Sequence, residues 1–269
     1  MEFLLLLGLG TVAGIIAGLL GLGGGILFTP ILFVVLSNAG INDPVVLTIG
    51  SSLFCTFIAA TGSSIRQYGQ DNIYWTEGLK VGALGTVGVF VGKQVITSDY
   101  YSQQVFVIFF SLLLMYVAYM FYRRGSQQEN TIEQDTQPVT GRQASVTGGL
   151  GGFVAALAGI GGGGVMVPLM NIWYKKAFVK TVSISSLAIV LISFSGWMQL
   201  AFFNGSTQTL TAYHIGYVDF GAALPLAVGG LLGGFVGALF NLKIKRQYLQ
   251  YAFSILAVGL AIKLLTEVF

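Results

Sequence analysis

Apolar runs broken by short polar stretches recur along the whole chain, at residues 3–36, 45–64, 76–96, 103–122, 144–173, 181–203, 214–240 and 247–266. Runs of about 17 to 25 apolar residues are long enough to cross a hydrocarbon core as helices. Two of them, 3–36 and 144–173, are longer and are interrupted by glycine clusters. The first cluster lies in "GLLGLGGGILFTP", residues 18–30. Three or four consecutive glycines destabilise a helix by roughly 1 kcal/mol each, so these runs predict breaks rather than continuous spans.

The pattern occurs twice. "GLLGLGGGILFTPI" at 18–31 matches "AALAGIGGGGVMVPLM" at 155–170, setting Gly21, Gly23, Gly24, Gly25 and Pro30 against Gly159, Gly161, Gly162, Gly163 and Pro168. "GSSLF" at 50–54 echoes "ISSLA" at 184–188, and "GVFVG" at 88–92 echoes "GGFVG" at 233–237. Order and approximate spacing are kept, which makes this an internal repeat. Between the copies lies "RRGSQQENTIEQDTQPVTGRQ", holding Arg123, Arg124, Glu129, Glu133, Asp135 and Arg142 and no apolar run. The chain therefore divides into a first membrane repeat (1–122), a polar linker (123–143) and a second membrane repeat (144–269).

Two arrangements fit this division. If each glycine-broken segment crosses once, each half has four crossings and both halves point the same way. If each turns back at its glycines, each half is a re-entrant helix pair followed by three crossings, and the second half is inverted. In the inverted case Arg66, Arg123, Arg124, Arg142, Lys175, Lys176, Lys180, Lys243, Lys245 and Arg246 share one side, leaving Lys80, Lys93 and Lys263 elsewhere. The excess of basic residues on cytoplasmic loops favours that case, with the linker cytoplasmic and both termini outside. Against it stands length: arms of about 13 to 18 residues beside the glycines reach only partway across unless tilted. The expected fold is an all-α, polytopic membrane bundle of two inverted repeats.

Bare backbone is tolerated at membrane depth only where protein buries it or a watery cavity adjoins it. The glycine turns are therefore expected to face inward and, in an inverted pair, to meet. The helices restarting near Ile26 and Val165 then aim free N–H groups and positive dipole ends at that point, a setting that suits an anion. Pro30 and Pro168 are expected in the first turn of those helices, where a missing donor costs nothing. Gly10, Gly14 and Gly18, by contrast, fit a small-residue packing stripe.

Composition narrows the classes. The 269 residues are 55% hydrophobic and 9% charged, against roughly 25% charged in a soluble domain, so the chain is an integral membrane protein. A net charge of +3, carried at helix ends, gives no reason to expect nucleic acid as a partner. Cys55 is the only cysteine and His214 the only histidine, which leaves no metal cluster, no disulfide framework and no paired nucleophile and base for an enzyme. The glycine run lacks the preceding strand and following Gly-Lys-Ser of a nucleotide loop. No cofactor is expected, and the sequence carries no signal for an oligomeric state.

The paired glycine segments followed by proline, the Ser-Ser-Leu runs, "RQYGQDNIYW" at 66–75 and the polar mid-chain linker together resemble the TauE/SafE sulfite-exporter family, also called the toluene sulfonate uptake permeases. The resemblance implies export or uptake of sulfite, sulfonates or related organosulfur anions across a bacterial inner membrane. A carrier or channel for another small anion, or a non-transport membrane scaffold, is the alternative.

The candidate substrate-binding residues are Gly23, Gly24 and Gly25 in the first turn and Gly161, Gly162 and Gly163 in the second. Ser51, Ser52 and Thr56, with Ser185 and Ser186 in the other half, add hydroxyls able to ligate anion oxygens without a buried positive charge; interhelical bonding is the competing role. Arg66 either attracts the anion or anchors a helix end at the interface. Gln199 can hydrogen-bond substrate, while Trp197 beside it reads as a packing or interface residue. His214, placed at a helix start, and Asp219 are weighed as proton carriers against interfacial placement.

Overall fold

The computed structural model describes residues 2–20, 25–68, 74–126, 137–203, 209–240 and 246–268. Ten α-helices account for most of them. The first half supplies α1 (Glu2–Leu20), α2 (Gly25–Asn38), α3 (Val45–Tyr68), α4 (Trp75–Ile96) and α5 (Gln103–Ser126). The second supplies α6 (Gly141–Ala158), α7 (Gly163–Pro168) running into a π turn (Leu169–Trp173), α8 (Phe178–Ala201), α9 (Phe220–Phe240) and α10 (Arg246–Val268). Among the described residues, six helices, α3, α4, α5, α8, α9 and α10, are long and apolar enough to cross a membrane. The chain is an all-α polytopic membrane protein.

Local chemistry sets the helix ends. Thr140 and Gln143 form a reciprocal capping box at the start of α6, satisfying two backbone donors that a helix terminus otherwise leaves bare. The other end of α6 stops at Gly159, whose φ of 72° is left-handed, a conformation that only glycine adopts cheaply. Pro30 and Pro168 sit not in the first turn, as expected, but as the sixth residues of α2 and α7. There each removes a bond to the residue four before it, and in the second half a π turn follows at once.

The run 214–240 is not one helix. His214–Ile215 (β1) and Val218–Asp219 (β2) pair antiparallel around Gly216, φ 53°, and the helix begins only at Phe220. The reason is Asp219: its carboxylate accepts from Ala222 N at 3.1 Å, capping α9, and from Thr211 N at 2.9 Å and the Thr211 hydroxyl. Asp219 is thus a fully buried cap. His214 lies exposed on β1 rather than at a helix start.

Helix packing exchanges elements between the halves. Helix α1 lies along α9, with Gly10 against Leu226, Gly14 against Gly230, and Gly233 and Gly237 against Thr11 and Ile15 backbone. Helix α6 lies along α4 in the same way, with Gly148 against Val81, Gly152 against Gly85 and Gly88 against Gly149. In both pairs the residue numbers rise together, so the helices are parallel. Helices α3 and α8 cross antiparallel, through Leu53 with Gly196 and Phe57 with Phe194. Helices α5 and α10 are antiparallel too, with Ser111 Oγ donating to Ala261 O at 3.3 Å and Ser254 Oγ to Ala118 O at 2.9 Å. Two bundles result, α1–α3 with α9 and α6–α8 with α4.

One face gathers basic residues. Lys176 and Lys180, 3% and 2% exposed, both donate to Gln137 O, at 3.1 and 2.9 Å. Lys180 also pairs with Glu77 at 2.9 Å and stands 4.9 Å from the Tyr74 ring centroid. The end of the polar linker is thereby tied to the starts of α4 and α8. Lys93, near the far end of α4, instead lies over Phe203 at the end of α8.

The glycine seams set a direct expectation for stability. Gly152→Leu puts a side chain into the Gly85 carbonyl, and overpacking of about 1–3 kcal/mol or more lowers the Tm in detergent by at least about 2 °C. Gly149→Leu, whose Cβ meets nothing within 4 Å, leaves the Tm unchanged or slightly raised. Equal losses in the two variants would show that the seam does not fix the bundle.

Candidate functional site

The second glycine turn is fully described and shows why three glycines are needed. Gly159, Gly161 and Gly162 all hold positive φ, 72°, 71° and 80°. Gly162 also lies against the backbone of Gly151, eleven residues earlier, so the chain doubles back along α6. Its carbonyl accepts from Val165 N at 3.1 Å and Met166 N at 3.0 Å, which starts α7 at Gly163. The Tyr101 hydroxyl, from the loop before α5, donates to Leu157 O at 2.8 Å and holds the end of α6 at this depth. Burial pushes the Tyr101 phenol well above its ordinary pKa, which keeps it a donor.

The two turns meet. Gly25, the residue that the repeat sets against Gly163, begins α2 with its Cα facing Ile160 O; a Cβ there would lie 2.6 Å from that oxygen and 2.7 Å from Thr56 Oγ1. Gly161 faces Thr56 and Ile189 in the same way. Gly23 and Gly24 lie outside the described residues.

The hydroxyls divide into three kinds. Ser52 Oγ donates to Gly159 O at 2.9 Å and lies 2.7 Å from Thr29 Oγ1, bonding the first half directly to the second turn. Ser51 Oγ accepts from Asp219 N at 3.0 Å and so positions the start of α9. Ser185 Oγ donates to Val182 O of its own helix at 3.0 Å, and Ser186 is 6% exposed. Thr56 differs from all of these: it is 1% exposed, and its hydroxyl has no partner among the described residues. An unpaired buried hydroxyl costs free energy unless something else meets it.

The structure thus brings Gly25, Gly161, Gly162, Gly163, Ser52 and Thr56 together. Ser51 is one residue away and turned to α9, while Ser185 and Ser186 lie about a turn nearer the start of α8 than Ile189, which meets Gly161. Arg66 closes α3, its side chain outside the described residues. Gln199 stands near the end of α8, donating to Ser195 Oγ at 2.8 Å, and its side-chain carbonyl oxygen has no partner among the described residues. Cys55 is fully buried, its Sγ 3.3 Å from Ala223 O. Sequence reasoning missed Thr29, the one hydroxyl inside the apolar run 26–36. Its signal was the Thr-Pro step, which has Val-Pro at 167–168 as its counterpart.

Inward-facing glycine breaks inside a multi-pass helical bundle are the construction of a membrane transporter. The family model described as "Sulfite exporter TauE/SafE" matches residues 6–264, and the chain belongs to that family. It is 30% identical to a probable membrane transporter protein of Methanocaldococcus jannaschii, covering 94% of this chain and 93% of that one. It is 25% identical to one of Haemophilus influenzae, with 97% of each chain covered. The probable membrane transporter protein YunE of Bacillus subtilis is 24% identical, with 99% of this chain and 98% of that one covered. No solved structure matches the chain.

The bond between halves is open to a paired test. Ser52→Ala removes the contact with Gly159 O, at about 1–2 kcal/mol, and lowers the Tm by about 3–6 °C. Ser185→Ala, which loses only a bond within its own helix, shifts it by less than about 1 °C. A Ser52 variant as stable as the Ser185 variant would remove Ser52 from the contact between the turns.

Proposed function

We propose that the protein exports sulfite or a related small organosulfur anion across the bacterial inner membrane by alternating access. In this reading residues 1–122 and 144–269 are inverted repeats, each opening with a re-entrant pair, and 123–143 is a cytoplasmic linker. One observation carries it: Gly25 at the start of α2 and Gly161 just before α7, one from each half, both lie against Thr56, the first against its hydroxyl and the second against its methyl, and that hydroxyl has no partner among the described residues.

Helix starts present backbone donors and a positive dipole end, and Thr56 adds a side-chain donor. Such donors hold an oxyanion without a fixed cation, which keeps binding weak enough for release. The directions of the helices support inversion: α3 with α8 and α5 with α10, the pairs that the repeat makes equivalent, both run antiparallel. Four crossings per half pointing the same way would make them parallel. The doubling back at Gly162 supports a re-entrant pair. Arg142, Lys175, Lys176 and Lys180 all lie at the linker face, as does Lys80, one turn after Glu77, which the sequence reading set apart. Because α4 and α9 are exchanged, the bodies that rock against each other are the two mixed bundles rather than the two sequence halves.

Purified protein in liposomes should move radiolabelled sulfite or a sulfonate, which a scaffold would not. Thr56→Val keeps the shape and removes the unpaired hydroxyl, so the Tm holds or rises while KM for the anion increases about fivefold to tenfold. Gly162→Leu, forced to a φ of 80° against Gly151 backbone, abolishes flux. Unaltered transport in both variants would remove the site from the glycine turns.

Topology has a separate readout. Cysteines at Tyr100, 91% exposed between α4 and α5, and at Ser126, the last residue of α5, should react with a membrane-impermeant maleimide from outside and inside respectively. Buried Cys55 stays silent. Labelling of Ser126→Cys from outside would place the linker on the wrong side.

A further inference from the structure

The crossing of α3 and α8 carries a second feature that the glycine turns do not use. The rings of Phe54, Phe57, Phe194, Trp197 and Phe220 form one connected group, with centroids 5.0 to 6.3 Å apart. Trp197 is its hub, in contact with the other four. The group draws on α3, α8 and α9, so it spans both mixed bundles. It lies beyond the turn contact as seen from the linker: α8 starts at the linker face and reaches Ile189, which touches Gly161, before Phe194 and Trp197.

The repeat makes this group one-sided. The correspondence that sets Ser51 and Ser52 against Ser185 and Ser186 sets Phe54 against Ala188, Phe57 against Leu191, Phe194 against Ala60 and Trp197 against Ser63. The linker side therefore has small or aliphatic residues where the far side has four rings. Packing alone gives no reason for a pseudo-symmetric bundle to be aromatic on one side only.

The tryptophan also bears an unanswered polar atom. Its Nε1 is buried and has no hydrogen-bond partner among the described residues, and the same holds for Gln199 Oε1 two residues on. A buried indole N–H usually finds an acceptor. It donates and never accepts, so it discriminates in favour of a solute carrying lone pairs and negative charge.

We propose that Trp197 is the specificity residue of the far-side path. Its ring closes the way to the turn contact, and its indole N–H donates to the anion as the anion passes between α3 and α8. This rests on the anion-transport reading above and adds to it a residue, a direction and a donor. Opening requires the two mixed bundles to part along α3 and α8, which separates Phe54 and Phe57 from Phe194 and Trp197. The anion then takes up the hydrogen bond that the closed packing leaves unmade.

The test uses the full-length protein in lipid nanodiscs with 15N-labelled indoles. Trp75, Trp173 and Trp197 give three N–H resonances, and Trp197→Phe identifies the third by its loss. Sulfite, sulfate, taurine, acetate and chloride are titrated separately. The Trp197 resonance should shift saturably with the anions that are carried, and the Trp173 resonance should stay still. In liposomes Trp197→Phe, which keeps a ring and loses the donor, should raise KM about tenfold, the worth of a hydrogen bond to a charged group, with Vmax within twofold of the parent. Flux of sulfite with an unmoved Trp197 resonance, or an unaltered KM in the variant, overturns the role of Trp197 and leaves the transport reading standing. No flux of any sulfur anion, with the resonance moved by another anion, overturns the sulfur reading and upholds the donor. Neither flux nor shift overturns both.

Discussion

A chain that breaks its helices inside an apolar medium must answer every backbone group it exposes, because lipid offers neither donor nor acceptor. The rest of this structure depends on that constraint. At the second turn, Leu157 O is met by Tyr101, Gly159 O by Ser52 and Gly162 O by the amides of Val165 and Met166. Two of those three answers come from the first half of the chain. The turn therefore is not satisfied by its own half alone, and the first half is bonded to the second at that break.

The glycine seams follow from the same medium. Lipid tails are as apolar as leucine, so helices associate through close packing rather than through exclusion of water. Along α1 and α9, and along α4 and α6, glycines bring one backbone onto another over several turns, a distance at which dispersion and Cα–H···O contacts accumulate. Each seam joins a helix of one half to a helix of the other. The fourth helix of each repeat is exchanged, and what looks in sequence like two consecutive bundles is in space two mixed ones.

Within this paired scaffold the chemistry is unpaired. Thr29 has Val167 as its counterpart and Thr56 has Val190, while Trp197 has Ser63. The matching sequence motifs thus carry different side chains where they touch the meeting point. The first half contributes Thr29, Ser52 and Thr56 to the contact, and the aromatic group stands on one side alone.

Much was legible in the sequence because it depends on local physics. Apolar length fixed the spans at 45–64, 76–96, 103–122, 181–203 and 247–266 to within a few residues of the helices found. Glycine clustering located the break between α6 and α7. The run 214–240 misled because hydropathy counts apolar residues without seeing that Asp219 caps a helix only when Thr211 folds back onto it. The roles of the serines were equally out of reach. Ser52 and Ser185 occupy matching motifs, and one spans the halves while the other bonds its own helix. Which of two like hydroxyls meets a distant carbonyl is decided by where two turns, far apart in sequence, come to rest. Local pattern determines where the chain must bend, and only the packed tertiary structure decides what each bend will touch.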